Sequence, residues 1–169
     1  MQFNCIKEVL IFHSNVLKSG IQTSIFTSNQ IINSYAKHGC LRYARQVFDE
    51  MPERNVFTWN TLVAAYLKTR DITTAEFLFN ASPIKDLVTY NSMLSGYVNS
   101  DYRYETNALK LFTEMHCSLS GNGGIDEFTV TTMLNFVAKV SSGSLGMQLH
   151  CYMVKVGNYS SKFASSSLI

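Results

Sequence analysis

The chain of 169 residues lacks most of what marks a membrane protein, a disulfide scaffold or a catalyst. No apolar run approaches the ~20 residues needed to cross a bilayer. Charged residues make up 15% and the net charge is +2, so there is no global basic field, and a nucleic-acid partner has to be met by local basic positions. The four cysteines, Cys5, Cys40, Cys117 and Cys151, stand far apart with no CxxC and read as free thiols of a reducing compartment. None of His13, His38, His116 and His150 is followed two residues later by Glu, and no Gly-rich phosphate loop is present. No nucleophile–base set stands out, so the chain is expected not to be an enzyme by itself and to need no cofactor or metal. The first twenty residues carry only Lys7, Glu8 and Lys18 as charges, unlike an Arg- and Ser-rich organellar leader. A hydrophobic content of 46% is nonetheless ample for a packed structure.

What the chain has is a repeat. Asn29, Asn60 and Asn91 recur every 31 residues, within Ile25-Phe26-Thr27-Ser28-Asn29, Val56-Phe57-Thr58-Trp59-Asn60 and Leu87-Val88-Thr89-Tyr90-Asn91. A fourth copy, Glu127-Phe128-Thr129-Val130-Thr131, has Thr in the Asn slot, and a fifth begins at Lys162-Phe163-Ala164-Ser165-Ser166. A period of this size is the signature of stacked supersecondary units. Two helical faces follow each copy. Ile31, Ile32 and Tyr35 form the first, Gly39 supplies a turn, Leu41, Ala44, Val47, Phe48 and Met51 form the second, and Pro52 ends it. The same pattern runs through Leu62, Val63 and Tyr66, then Ile72, Ala75, Leu78 and Phe79 before Pro83. It recurs in Met93, Leu94 and Tyr97 with Ala108, Leu111, Phe112 and Met115, and in Met133, Leu134 and Val137 with Leu145, Leu149 and Met153. Small residues hold one slot of each second helix, namely Ala44, Ala75, Ala108 and Gly146, where helices must approach closely. The fold expected is all-α: a right-handed superhelical solenoid of stacked helix–turn–helix repeats.

The units expected are 25–55, 56–86, 87–126 and 127–161, in a single array over 1–169. The third is longest, and its excess near Tyr102–Asn107 and in Ser118–Gly124 is expected in loops. Residues 1–24 read as a second helix without its first, with Ile6, Val9, Leu10, His13, Val16 and Leu17 along it, and 162–169 as the start of a further unit. Neither end offers a polar capping helix, which suggests a piece of a longer array.

The phrase from Ala44 through Asp49-Glu50-Met51-Pro52-Glu53-Arg54-Asn55 to Trp59-Asn60 closely resembles the plant pentatricopeptide repeat. The mixture of unit lengths resembles the plant subclass that alternates short, long and standard motifs; Gly146-Met147-Gln148-Leu149-His150 and His13-Ser14-Asn15-Val16-Leu17-Lys18-Ser19-Gly20 are similar to its long motif. The tetratricopeptide repeat, a protein-binding cousin, expects Gly at the eighth position of the first helix. That slot holds Ile32, Val63, Leu94 and Leu134 here.

The resemblance implies that each hairpin contacts about one base of single-stranded RNA through two or three side chains. By position the readers are Asn29, Asn60, Asn91, Thr131 and Ser166 at the fifth residue, with Asn55, Asp86, Asp126 and Ser161 at the last residue of each unit. Phe26, Phe57, Val88, Phe128 and Phe163 are the implied wedges between bases. The family's pairing rule favours uridine for Asn60 with Asp86 and for Asn91 with Asp126, and a pyrimidine, cytidine foremost, for Asn29 with Asn55. An Asn near a helix start serves equally well as an N-cap. Lys37, Lys68 and Lys139 recur late in the first helices, as a row for RNA phosphates or as simple complements to the helix dipole. The function implied is sequence-specific RNA binding in organellar RNA editing or processing, mitochondrial first and chloroplast second, with any editing or processing chemistry done by other proteins in trans and no membrane insertion. Use of the groove as a protein–protein adaptor, or a truncated product of little independent function, are the alternatives.

Overall fold

A computed structural model describes residues 5–19, 24–119, 125–140 and 147, and among them helix is the only extended regular structure. The chain divides into two compact units, Met1–Met93 and Leu94–Ile169. The first holds α1 (Ile6–Lys18), α2 (Ile25–Lys37), α3 (Leu41–Glu50), α4 (Val56–Lys68) and α5 (Ile72–Ala81), and ends within α6 (Leu87–Val98). Helices α2 and α3 pair as one hairpin and α4 and α5 as the next; α4 also packs on α2 and α3, and α1 packs on α2.

The two hairpin turns of the first unit close the same way. Gly39 N–H donates to Ala36 O at 3.1 Å and Cys40 N–H to Tyr35 O at 2.9 Å, the two bonds of a Schellman C-cap. The second hairpin repeats them from Arg70 to Leu67 and Asp71 to Tyr66, both at 3.0 Å. The cap requires a left-handed residue, and the φ angles are +73° at Gly39 and +62° at Arg70. Glycine adopts this conformation freely, whereas Arg70 carries strain at the equivalent place. At the far end the chain turns extended at Met51 and Ser82, just before Pro52 and Pro83, as a residue preceding proline prefers.

The stripes bury as their spacing requires. Ile31, Ile32, Tyr35, Leu62 and Val63 face Val47, Phe48, Leu78 and Phe79 in the core of the first unit, each large side chain worth roughly 1.5–3 kcal/mol of burial. Ala44, Ala75 and Ala108 have no exposed surface at all. Gly146, Leu145, Leu149 and Met153 lie outside the described residues. In α1 only Val9 is fully buried, while Leu10 and Leu17 of its expected stripe are exposed. His13 Nδ1 and the Tyr35 hydroxyl, 3.0 Å apart, tie α1 to α2.

A basic residue locks the links from α3 to α4 and from α5 to α6. The Arg54 guanidinium donates to Phe48 O at 2.8 Å and Asp49 O at 3.0 Å and lies 4.7 Å from the Phe48 ring centroid. One period on, Lys85 Nζ donates to Ser82 O at 3.0 Å and sits 5.1 Å from the Phe79 centroid. The same two rings meet Trp59 and Tyr90 edge-on. The orphan carbonyls at the end of α3 and α5 are thereby satisfied by cations, which also suit the negative helix terminus.

The second unit contains the remainder of α6, a 3-10 turn at Tyr102–Tyr104, α7 (Glu105–Leu119) and α8 (Glu127–Val140). Here the expected loops are corrected. The stretch Tyr102–Asn107 is helical: the 3-10 turn runs straight into α7, and Tyr104 stacks on Tyr97 with centroids 5.6 Å apart. Ser118 and Leu119 are also helical, so α7 reaches 15 residues against 10 in α3 and α5. Added residues extend a helix when aromatic and apolar partners receive them, as Tyr97 receives Tyr104 and the core receives Leu119.

The turn geometry predicts opposite effects at matched positions. A Cβ at Gly39 meets nothing within 4 Å, so Gly39→Ala costs backbone strain alone and is expected to destabilise the fold by about 1 kcal/mol. Arg70→Gly releases strain and is expected to raise stability by roughly 0.5–1 kcal/mol after the added chain entropy. Urea unfolding midpoints of the two variants check both signs.

Candidate nucleic-acid interface

The residue that opens a first helix is also a candidate reader. Asn55 caps α4, its Oδ1 accepting the Thr58 amide at 3.0 Å, while Asn55 N–H donates to Thr58 Oγ1 at 3.2 Å. Asp86 does the same for α6: its Oδ1 accepts Thr89 N–H at 2.8 Å, and its own N–H donates to Thr89 Oγ1 at 3.1 Å. Asp126 Oδ1 accepts Thr129 N–H at 2.9 Å at the start of α8. The N-cap role therefore belongs to the last residue of units 25–55, 56–86 and 87–126. The fifth-position asparagines sit one turn further in.

Those asparagines reach across to the next cap. Asn60 Nδ2 donates to Asp86 Oδ1 at 3.1 Å, and Asn29 Nδ2 donates to Asn55 Oδ1 at 3.3 Å. Thr89 Oγ1 lies 2.7 Å from Asn60 Oδ1, and Thr58 Oγ1 lies 2.7 Å from Asn29 Oδ1. The sequence-predicted pairs 29/55 and 60/86 are thus brought into direct contact. Asn29 is buried, Asn60 half-buried and Asn55 exposed, so the first pair meets solvent mainly through Asn55. Asn91 is buried. The Thr131 hydroxyl turns back onto Glu127 O at 2.8 Å. Ser161, Phe163 and Ser166 lie outside the described residues.

Large apolar side chains stand in solvent at the second position of each first helix: Phe26 is 72% exposed, Phe57 55%, Val88 58% and Phe128 56%. Between Phe57 and Val88 opens a cavity of about 340 Å³, lined also by Val56, Asn60, Thr61 and Asp86. It is an apolar slot with a polar pair on its wall, within the volume range of small-ligand clefts. A second open cavity of about 330 Å³ lies on the other side of Phe57, lined by Asn33, Thr61, Lys37 and Lys68 among others. Both lysines are exposed, and their ammonium groups contact no acceptor among the described residues. Lys139 differs: its Nζ donates to Val98 O at 3.0 Å and approaches Ser100 O at 3.4 Å, closing the C-terminal end of α6. Its place in a phosphate row is therefore weaker than that of Lys37 and Lys68.

Electrostatics sharpen the second pair. Burial by itself pushes the Asp86 carboxyl up, but the Thr89 hydroxyl, the Thr89 amide, the Asn60 amide and its own backbone hold it below the ordinary carboxylate value. Asp86 Oδ2 and one Asn60 N–H take no partner among the described residues. The cavity wall thus carries an acceptor and a donor. Missed at the level of sequence were the third-position threonines, Thr58, Thr89 and Thr129, all with no exposed surface. Their signal was present, since Thr stands at the third place of the first four copies, with Ala164 in the fifth. Among the described residues no group of three His, Cys, Asp or Glu is placed to hold a metal, and no helix is long and apolar enough to cross a membrane. Cys5, Cys40 and Cys117 are free thiols.

Hairpins that carry the same exposed wedge and the same capped polar pair at successive junctions define a helical-repeat protein. The PPR repeat model matches residues 26–56, 57–81 and 88–102, so the chain contains pentatricopeptide repeats. A pentatricopeptide repeat-containing protein of Arabidopsis thaliana is 45% identical over 165 residues, covering 98% of this chain and 24% of that protein. A second from the same plant is 31% identical over 147 residues, covering 86% of this chain and 18% of its own length. A third, whose name carries the word mitochondrial, is 28% identical over 99% of this chain and 21% of its own length. The chain spans about a quarter or less of the relatives it matches.

The depressed Asp86 value predicts a pH dependence. A carboxylate with a lowered folded value contributes stability that is fully present above the unfolded value of about 3.8 and is lost as pH falls through the depressed one. The stability difference between the native chain and Asp86→Asn is expected to be flat from neutral pH down to the ordinary carboxylate range and to shrink below it. Paired urea titrations across acid pH check this.

Proposed function

We propose that the chain is a single-stranded RNA-reading segment of a plant organellar RNA-processing protein, with no catalysis of its own. The observation that carries this reading is the slot between Phe57 and Val88, with Asn60 and Asp86 on its wall. Every base has a flat π-face, so exposed apolar side chains hold any base at roughly 1–3 kcal/mol each, and the polar pair is left to choose among them. Lys37 and Lys68, on either side of the adjoining cavity, are set to meet phosphates. Repeats that contain this motif, and relatives named for it, support the assignment.

The lean of the pairs to pyrimidines is what the family resemblance implies, and the donor–acceptor chemistry of the pairs is compatible with it. Asp86 Oδ2 offers only an acceptor, which suits the N3–H of uridine. Asn55 is neutral and offers N–H donors, which suits the N3 acceptor of cytidine. Asn91 with Asp126 is assigned to uridine by the same residue types. Thr131 with Ser161 is placed in the same reading row, with Phe26 and Phe128 as outer wedges. Membership of the mixed-motif plant subclass, derivation from a longer array, a place in RNA editing with a partner in trans, and a mitochondrial rather than chloroplast location complete the proposal.

Binding to short single-stranded RNAs tests it. Phe57→Ala is expected to weaken binding about tenfold or more. Lys37→Ala and Lys68→Ala are each expected to lower the slope of log K against log salt by about 0.7. Equal affinity for pyrimidine and purine oligonucleotides removes the reading code, and no RNA binding with capture of a helical peptide instead makes the groove a protein adaptor.

A further inference from the structure

We propose that Thr58 and Thr89, the third residues of α4 and α6, are specificity-setting positioning residues that each orient the reader asparagine of the preceding repeat. The inference rests on the RNA-reading assignment above. It relocates the functional unit: one base is read by a repeat together with the third residue of the next.

The geometry carries the inference through the amide of asparagine. Its two ends are nearly the same size but opposite in hydrogen bonding, so a lone Asn presents either end to a base. At residue 60 the choice is made from two sides. Asp86 Oδ1 is an acceptor and lies 3.1 Å from Asn60 Nδ2, so the nitrogen faces it. Thr89 Oγ1 lies 2.7 Å from Asn60 Oδ1, so a hydroxyl proton is needed there. That hydroxyl has one proton, and it has two acceptors at 2.7 Å, Asn60 Oδ1 and Asp86 Oδ1. Its oxygen meanwhile accepts the Asp86 N–H. A reversed Asn60 would set its carbonyl against the carboxylate, so the threonine proton and the Asp86 charge together select one orientation. The junction one period earlier repeats every bond. Thr58 Oγ1 lies 2.7 Å from Asn29 Oδ1 and 2.8 Å from Asn55 Oδ1, and accepts the Asn55 N–H. Both threonines are fully buried, where a mobile hydroxyl has no water to turn to. Touching no base themselves, they act through the asparagine.

Valine has the shape of threonine without its hydroxyl. Thr89→Val leaves the Thr89 amide bond to Asp86 available, yet takes the donor from Asn60 Oδ1. The test is binding of the full chain to a set of single-stranded RNAs in which one position at a time carries each of the four bases. With Thr89→Val, discrimination at the position read by repeat 56–86 is expected to fall about three- to tenfold, while that at the position read by repeat 25–55 is unchanged. Thr58→Val is expected to do the reverse, and Thr89→Ser, which keeps the hydroxyl, to retain discrimination. A general loss of stability weakens both positions alike, so equal effects at both, or none, overturn the inference. A second measurement needs no RNA. The side-chain amide protons of Asn60, followed by NMR, are expected to be slowed in exchange in the native chain and in Thr89→Ser and to lose that protection in Thr89→Val. Asn60 protection that is indifferent to the hydroxyl overturns the positioning role whatever the RNA result; absence of RNA binding with the NMR pattern intact overturns the RNA reading alone. If Thr89→Val does not fold, Thr58→Val with Asn29 as reporter gives the same two outcomes.

Discussion

The interaction on which the rest depends is the cap that begins each first helix. An α-helix leaves its first N–H groups without partners, and an Asn or Asp side chain at the cap satisfies one of them. Here that duty falls to Asn55, Asp86 and Asp126, each bonded to a threonine three residues on. The reciprocal bond from the cap amide to the Thr58 or Thr89 hydroxyl makes a capping box with Thr in place of the usual Glu or Gln. The short threonine keeps the box compact enough for a third side chain, Asn29 or Asn60, to join it from the hairpin before. A local device for starting a helix thereby becomes the contact between successive repeats.

Under the proposed function, structure and recognition share residues at this point. The cap oxygen Oδ1 is consumed by the fold, and its bonds fix the orientation of what remains, Oδ2 of Asp86 or Nδ2 of Asn55. A side chain held by three bonds has little freedom left to lose on meeting a ligand. The link before each cap is held as firmly. Arg54 and Lys85 close the end of the preceding helix and rest on Phe48 and Phe79, whose rings are met by Trp59 and Tyr90. The junction before α8 has Ile125 and Val130 at the corresponding places and lacks that cationic clamp, although its Asp126–Thr129 cap is intact.

Much of this was legible in the chain. The helical stripes, the small-residue slot at Ala44, Ala75 and Ala108, and the glycine turn at Gly39 followed from spacing, because burial on one side of a helix imposes its period directly. The exposed wedges were legible only through family resemblance, since an apolar residue at a helix start looks like core until its surroundings are known. One feature was misread. The extra residues around Tyr102–Asn107 carry polar, loop-like letters, yet they wind into helix because Tyr104 finds Tyr97. Lys139 shares its register with Lys37 and Lys68, yet its ammonium group closes the end of α6, where the α2 and α4 lysines have open space. Register specifies where a side chain starts; the neighbours decide where a long, flexible one ends.

The repeat period, the helix-forming stripes, the stops at Gly39, Pro52 and Pro83, and the residue types at the fifth and last positions are properties of the chain as written, because each depends on local geometry or on a pattern within a few turns. Folding settled something of a different kind. It set Asn60 against Asp86 across 26 residues and against Thr89 across 29, left Phe57 and Val88 on the rim of one cavity, and gave the threonine between them a hydroxyl with two claimants. No local rule contains those distances, since they arise only when one hairpin is packed against the next.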